Sequence, residues 1–195
     1  MSKFNELQFR KQPWYTNESA IRGLLPTFVP LKTLVIFCFD PRATEIPKAV
    51  AEYFGDEVYP GENVLNEAGN RVGSTATLFE VSTAGGRAAS ALQSISTMEY
   101  LFHIEKVVVV HHSFCGATSF SAEGIISAFH HEHGADISAL YDHDSLCITD
   151  YEESLKYDVA LLRSNPGVPK HIKLYGFFYN IDTSELTEIV RDISA

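Results

Sequence analysis

Three apolar runs, at residues 34–39, 107–110 and 172–179, carry the strongest strand signal in the chain. They are apolar at nearly every position rather than at alternate positions, which is typical of strands buried on both faces of a parallel sheet. Weaker strand signals lie at residues 63–65 and at roughly 186–190. The pattern therefore predicts a sheet whose central strands are built from segments far apart in the chain.

Segments with helical spacing of apolar residues lie between these runs, at residues 44–55, 88–103, 125–129 and 151–163. Strands that alternate with helices predict an α/β fold, with a mostly parallel β-sheet flanked by helices. Residues 66–80 are rich in Gly and Asn, and we expect them to form an exposed loop.

The chain is expected to contain an N-terminal arm and one domain. Residues 1–30 carry three prolines that break regular structure, which predicts the arm. Residues 31–195 are then expected to form a single α/β domain, and the full length of 195 residues fits one domain. Trp14, Tyr15 and Phe28 would suit an arm that packs on a partner chain, or one that folds back on its own chain.

Composition narrows the class of protein. The formal net charge of −10 disfavours nucleic acid and anionic membranes as partners, because both attract clustered Lys and Arg. Three cysteines make a poor disulfide framework and favour metal binding or catalysis. We see no apolar signal core and no run of about 18 apolar residues, so we expect a cytosolic protein.

The chemistry is concentrated in two motifs that follow two of the predicted strands. Residues 38–42 read Cys-Phe-Asp-Pro-Arg, and residues 112–116 read His-Ser-Phe-Cys-Gly. The carboxyl ends of parallel strands meet at one rim of a sheet, so the two motifs should lie together. Cys38, His112 and Cys115 would then form a catalytic zinc set with one coordination position left open.

Other interpretations of the cysteines remain. Each cysteine taken singly could be a buried core thiol, since free Cys is often buried. Cys147 could be a fourth zinc ligand, although it lies in a polar stretch far from both motifs.

Asp40 and Arg42 form a predicted second layer of the zinc site. On an extended segment, alternate residues point to one side, so Cys38, Asp40 and Arg42 would share a face. The arginine fork can hold the carboxylate through two hydrogen bonds and keep it ionised. The alternative is a solvated ion pair at the surface.

Together, Cys-x-Asp-x-Arg and His-x-x-Cys-Gly resemble the signature of the β-class carbonic anhydrases. Residues 84–87, Ala-Gly-Gly-Arg, resemble that family's glycine segment, and residues 158–170 and 175–179 resemble its C-terminal pattern. The resemblance covers roughly residues 31–190. Residues 67–70, Glu-Ala-Gly-Asn, are an alternative glycine segment, but residues 84–87 lead directly into a predicted helix.

The resemblance implies zinc-dependent, reversible hydration of carbon dioxide to bicarbonate by zinc-bound hydroxide. It implies Zn²⁺ as the cofactor of a catalytic domain spanning residues 31–195, with Cys38, His112 and Cys115 as ligands. Asp40 would orient the hydroxide or close the open position, and Arg42 would draw Asp40 away from the metal.

The family also implies a substrate pocket and an assembly. Gly85, Gly86 and Gly116 would line the pocket, with Gly116 allowing the backbone after the second cysteine to approach closely. A homodimer or homotetramer is expected.

Two departures from the family concern the substrate. Phe114 stands where many relatives have a polar residue, and residues 66–80 look like an insertion near the pocket mouth. A hydrolase of carbonyl sulfide or carbon disulfide that uses the same zinc site is therefore an alternative. A non-catalytic zinc module that binds a partner is another. The histidines at 130, 131 and 133 could shuttle protons, but we expect them to lie at an exposed helix end.

Overall fold

The computed structural model describes residues 3–140 and 142–193, and its centre is a five-stranded sheet in the order β4-β1-β5-β6-β7. The first four strands are parallel, and β7 runs antiparallel to β6. The predicted α/β fold with a mostly parallel sheet is therefore confirmed. The strands of this sheet are β1 Thr33–Cys38, β4 Leu78–Thr83, β5 Lys106–His112, β6 Lys173–Asn180 and β7 Glu185–Asp192.

Five α-helices accompany the sheet in the described part of the chain. They are α1 Glu18–Phe28, α2 Ile46–Phe54, α3 Leu92–Phe102, α4 Ala122–His133 and α5 Tyr151–Ser164. Gly55 ends α2 in the left-handed conformation, and His103 ends α3 in the same way. None of the described helices has both the length and the apolar character needed to cross a membrane.

Strands β1 and β5 are adjacent and buried along their whole length, as the apolar runs predicted. Alternate side chains supply two separate cores. Leu34, Ile36, Val107 and Val109 pack under α3 and α5, whereas Val35, Phe37, Val108 and Val110 pack under α2. The carboxyl ends of these two central strands are thus held firmly side by side.

Strand β4 corrects the prediction for residues 66–80. An exposed loop was expected there, but Leu78–Thr83 pairs in parallel with β1 along its length, from Thr33↔Leu78 to Cys38↔Thr83. The strand lies at the edge of the sheet and its burial alternates. Edge position explains the mixed composition that made it look like a loop.

The remainder of the loop is a small antiparallel hairpin, formed by β2 Asn63–Leu65 and β3 Arg71–Ser74. At its base the backbone N–H of Thr77 donates to the carbonyl oxygen of Val58, and the backbone N–H of Val58 donates to the hydroxyl of Thr77. The carbonyl oxygen of Thr77 also accepts from the backbone N–H of Lys32, just before β1. The hairpin therefore lies at the amino end of the sheet, so its expected position near the pocket mouth is wrong. Strand β4 separates it from the glycine segment by about 20 Å, at 3.3 Å per residue.

The N-terminal segment folds back on its own chain. Trp14 makes edge-on ring contacts with Phe9 and Phe28, and Arg22 lies over the ring of Tyr100 in α3. These contacts agree with the second alternative for the arm, and packing on a partner chain stays a prediction. The division into residues 1–30 and 31–195 stays a prediction, and residues 1, 2, 194 and 195 lie outside the described part.

Candidate metal centre

The two motifs meet at the carboxyl ends of β1 and β5. These strands are parallel neighbours, so Cys38 as the last residue of β1 and His112 as the last residue of β5 reach the same rim. Cys115 follows in a tight turn, in which Phe114 has a left-handed backbone with φ 56°. That turn brings the second cysteine back over the strand ends.

One donor atom from each of Cys38, His112 and Cys115 lies within 4.8 Å of the other two, and all three residues are buried. The two sulfur atoms are 3.8 Å apart, and neither cysteine is in a disulfide. Within residues 3–140 and 142–193, no other set of His, Cys, Asp and Glu donors converges in this way. Their joint spacing fits a single ion bound by two sulfurs and one nitrogen.

The orientation of the His112 ring also fits metal binding. Its Nδ1 lies 2.9 Å from the carbonyl oxygen of Ser113, so an Nδ1–H can donate to that carbonyl. Its Nε2 is then left with a lone pair, and in the structure this atom is buried with no hydrogen-bond partner. A buried polar atom without a partner is costly, and a bound metal removes that cost.

The two thiols interact strongly. The hydrogen bond from Cys115 Sγ to Cys38 Sγ lowers the pKa of Cys38 to about 4 and raises the pKa of Cys115 above its usual range. The hydrogen bond thus favours the thiolate form of Cys38 and the thiol form of Cys115. Because thiolates are the zinc-binding form of Cys, a divalent cation would release the remaining proton.

Asp40 lies beside the three donors and is held by Arg42. Arg42 Nε donates to Asp40 Oδ1 at 3.0 Å, Nη2 donates to Oδ2 at 2.6 Å, and the backbone N–H of Arg42 donates to Oδ1 at 2.9 Å. These bonds hold the pKa of Asp40 well below its usual range. Residues Pro41–Ala43 form a 3-10 turn capped by Asp40, so the extended segment that we expected is wrong, although the predicted fork is present.

The chain is similar in sequence to a carbon disulfide hydrolase and to carbonic anhydrases. No family model matches the chain. A carbon disulfide hydrolase from Acidithiobacillus thiooxidans is 26% identical over 147 residues, which cover 67% of this chain and 71% of that protein. β-Carbonic anhydrase 1 from Mycobacterium tuberculosis is 26% identical over 98 residues, 50% of this chain and 58% of the relative.

Solved structures cover more of the chain. The carbonic anhydrase of Streptococcus mutans superposes with a TM-score of 0.61 at 23% identity, over 97% of this chain and 99% of that one. The carbonic anhydrase of Glaciozyma antarctica gives 0.60 at 24% identity, over 94% and 100%. The chain has the β-carbonic anhydrase fold. The predicted resemblance to that class is thereby confirmed.

Residues 84–87, the glycine segment preferred from the sequence, pass close to β1 and β5 in this β-carbonic anhydrase fold. Gly86 has φ 70°, and an added Cβ would lie 2.7 Å from Val110 O and 3.1 Å from Cys38 N. Only a residue without a side chain fits this close passage between β1 and β5. The alternative segment, residues 67–70, lies between the strands of the distant hairpin.

Gly116 differs from its expected role. It is exposed, and a Cβ built on it would meet nothing within 4 Å, so the close backbone approach predicted there is wrong. Gly85 and Gly86 make that approach instead, since a Cβ on Gly85 would lie 2.8 Å from the Cβ of Ala117. Whether these glycines line a substrate pocket stays a prediction.

A small apolar cluster covers the cysteines in this β-carbonic anhydrase fold. Ile148 and Ala117 are buried against Cys38 and Cys115, and Tyr151 packs on the outside. Sequence reasoning missed Ile148, because it lies in a polar stretch beside Cys147 and carries no motif. Cys147 itself is half-buried and lies outside the group of converging donors.

The remaining histidines are separate from the donors. His111 is fully buried and faces Asp158, with Nε2 at 3.2 Å from Oδ2. His130, His131 and His133 are exposed in the last turn of α4, as expected for a helix end.

Proposed function

We propose that this chain is a zinc-dependent carbonic anhydrase that hydrates carbon dioxide reversibly to bicarbonate. The observation that carries the proposal is the buried set of Cys38, His112 and Cys115 donors beside a carboxylate fixed by Arg42. Zinc held by these three residues would act as a Lewis acid and lower the pKa of a bound water to about 7. Sequence identities of 25–26% to carbonic anhydrases support the class.

Asp40 orients the attacking oxygen in this proposal. Its Oδ2 accepts one hydrogen bond from Arg42 and keeps a second lone pair, which can accept a hydrogen bond from the O–H of the attacking oxygen. Because the pKa of Asp40 is held low, the carboxylate stays ionised at neutral pH and accepts without taking the proton. Its role is therefore positioning, and the proton released in each turnover must leave by another route.

Arg42 fixes Asp40 in place. Besides its fork on the carboxylate, Arg42 Nη2 donates to the carbonyl oxygen of Phe114 at 3.0 Å. One guanidinium thus joins the loop after β1 to the turn after β5. In this proposal the fork keeps the Asp40 carboxylate bound to Arg42 and available to the substrate oxygen.

A hydrolase of carbon disulfide or carbonyl sulfide is the second candidate. The similarity to a carbon disulfide hydrolase over 147 residues favours it, as do two exposed aromatic side chains next to the cysteines. Phe39 is 67% exposed and Phe114 is 68% exposed, so two large apolar side chains lie on the surface beside the cysteines. Such a surface suits a substrate that makes few hydrogen bonds.

One pair of measurements separates the candidates. Zinc-loaded protein is mixed with carbon dioxide and proton release is followed by stopped-flow; the same preparation is given carbon disulfide and carbonyl sulfide and hydrogen sulfide is measured. We expect the carbon dioxide reaction to be faster. Hydrogen sulfide release without carbon dioxide hydration would select the second candidate, and neither reaction would favour a non-catalytic zinc module.

A homodimer or homotetramer and a cytosolic location remain parts of the proposal. The exposed Phe39 and Phe114 and the free edge of β4 offer apolar and backbone surface for a second copy. Light scattering on the purified protein tests the assembly, with a monomer at micromolar concentration as the result that contradicts it.

A further inference from the structure

Arg87, the last residue of the glycine segment, is 1% exposed and uses its whole guanidinium inside the protein. Its Nε donates to Asp158 Oδ2 at 2.9 Å and its Nη2 to Oδ1 at 3.2 Å. Nη2 also donates to the carbonyl oxygen of Asp144 at 2.6 Å, and Nη1 donates to the carbonyl oxygen of Cys147. A charge buried this deeply is costly, so its many partners must be held in fixed positions.

The two carbonyls belong to the segment that covers the metal centre. Residues 144–147 lead directly to Ile148, whose backbone N–H donates to the carbonyl oxygen of Ala117 at 2.9 Å. Ile148 is 2% exposed and belongs to the buried cluster that contains Cys38 and Cys115. The guanidinium thus grips the chain at the residue immediately before the side chain that shields the two sulfurs.

Asp158 extends the connection to the strand that carries a ligand. Its Oδ2 accepts from Arg87 and also lies 3.2 Å from His111 Nε2. His111 is followed in β5 by His112, and all of these groups are fully buried. One buried ionic group therefore touches α5, β5, the glycine segment and the covering segment.

We infer that Arg87 is a positioning residue for the metal centre, acting by holding residues 144–148 so that Ile148 stays closed over the cysteines. This inference rests on the zinc site of the proposed function and does not depend on which substrate is used. It predicts that Arg87 controls how long zinc stays bound and how exposed the sulfurs are, without any contact between Arg87 and the metal.

The geometry requires arginine rather than lysine. A guanidinium has five donors in a plane and can meet a carboxylate and two carbonyls at once, whereas an ammonium is a point charge on a flexible stem. Arg87→Lys keeps the charge for Asp158 but cannot reach all three partners. The covering segment is then the part that loses its anchor.

The test is a double-mutant cycle on zinc-loaded protein. Arg87→Lys, Ile148→Ala and the double variant are mixed with excess chromogenic chelator, and the rate of zinc release is followed. We expect each single change to speed release about 10- to 100-fold, the range seen for groups that support metal ligands indirectly. The double variant should release zinc no faster than the quicker single variant, because both changes remove the same cover.

Arg163 supplies a matched control. It also bridges a carboxylate and carbonyls, through Asp192 Oδ2 and the carbonyl oxygens of Lys170 and Ile172, but at the far side of α5. Arg163→Lys should lower the melting temperature and leave zinc release unchanged. If Arg87→Lys behaves like Arg163→Lys, or if the effects of Arg87 and Ile148 multiply, the inference is overturned.

Two further readouts keep this inference separate from the proposed function. If the wild-type protein retains no zinc, alkylation of Cys38 and Cys115 in metal-free protein replaces zinc release, and Arg87→Lys should still speed it. If zinc is retained but no substrate turns over, the proposed function fails and the release data still decide the inference. If Arg87→Lys does not fold, Ile148→Ala decides alone, and unchanged release in that variant is contrary to the inference.

Discussion

Phe114 has the least favourable backbone conformation near the metal centre. Its φ of 56° lies in the left-handed region, which costs an ordinary residue about 1–2 kcal/mol, and a bulky side chain gains nothing there to offset it. The side chain is 68% exposed, so little burial is lost if it is replaced. The strain is held by the turn itself, which must deliver Cys115 to the other donors.

Phe114→Asn should therefore stabilise the protein. Asn tolerates the left-handed region, and we expect the free energy of unfolding to rise by about 1 kcal/mol, or about 2–4 °C in melting temperature. Phe39→Asn is the control, because Phe39 is equally exposed and has no positive φ. That variant should stay within about 0.5 kcal/mol of the wild type. Equal effects of the two changes in denaturant unfolding would show that exposure, not backbone strain, is responsible.

Asp40→Asn tests the orienting role of the carboxylate. The amide keeps the shape but loses the charge and one acceptor, so carbon dioxide hydration should fall about 10- to 100-fold while zinc content stays at one ion per chain. Glu188→Gln is the matched control, since Glu188 also carries a fork from an arginine, Arg191, away from the centre. Undiminished hydration by Asp40→Asn in the stopped-flow assay would remove Asp40 from the mechanism.

Single residues could be predicted from the sequence where they are metal donors, but not where they hold those donors in place. Cys38, His112 and Cys115 could be predicted because each ends or follows an apolar run, and strand ends of a parallel sheet converge. Arg87 and Ile148 could not, since their partners are a distant carboxylate, backbone carbonyls and sulfurs that only the fold brings near. A buried arginine carries no periodic signal in the sequence.

Among the elements, the glycine segment sets how closely the loop after β4 can pass over β1 and β5. Gly86→Ala should cost about 1–3 kcal/mol more than Gly55→Ala. Both glycines have nearly the same positive φ, 70° and 69°, but only Gly86 would bring its Cβ against backbone atoms. Overlap with backbone cannot be relieved by a rotamer change, and overpacking of this kind costs about 1–3 kcal/mol.

The comparison is made by denaturant unfolding of the three proteins under identical zinc concentrations. Gly55→Ala measures the cost of the left-handed conformation alone, because nothing lies within 4 Å of its added Cβ. Similar losses in the two variants would contradict a tight passage at Gly86. Zinc affinity should also fall only in Gly86→Ala, since the overlap is with the backbone N of Cys38.

The edge of the sheet shows why part of the fold escaped prediction. Central strands β1 and β5 are buried on both faces and read as unbroken apolar runs, so their bounds were predicted within a residue or two. Strand β4 is half-covered, and its Glu80 and Ser82 interrupt the pattern. The hairpin before it was placed by its closeness in sequence to the glycine segment, but a strand of six residues carried the two to opposite ends of the sheet.

At the scale of the whole molecule, the metal centre should couple zinc binding to folding. Cys38 and Cys115 are 77 positions apart in the chain, so the three donors converge only in the folded state. Zinc should therefore bind the folded protein far better than the unfolded chain. Free zinc at 100 times the dissociation constant would then add about 2.7 kcal/mol to the free energy of unfolding.

Zinc removal should accordingly lower the melting temperature by on the order of 5–10 °C for a chain of this size. The measurement is differential scanning calorimetry at several free zinc concentrations, with the melting temperature rising steadily as zinc rises. Cys115→Ser supplies the control: it removes one thiolate, so its melting temperature should depend much less on zinc. If zinc instead bound the exposed histidines of α4, the melting temperature of Cys115→Ser would depend on zinc as strongly as that of the wild type. That result would show that zinc does not bind at the strand ends.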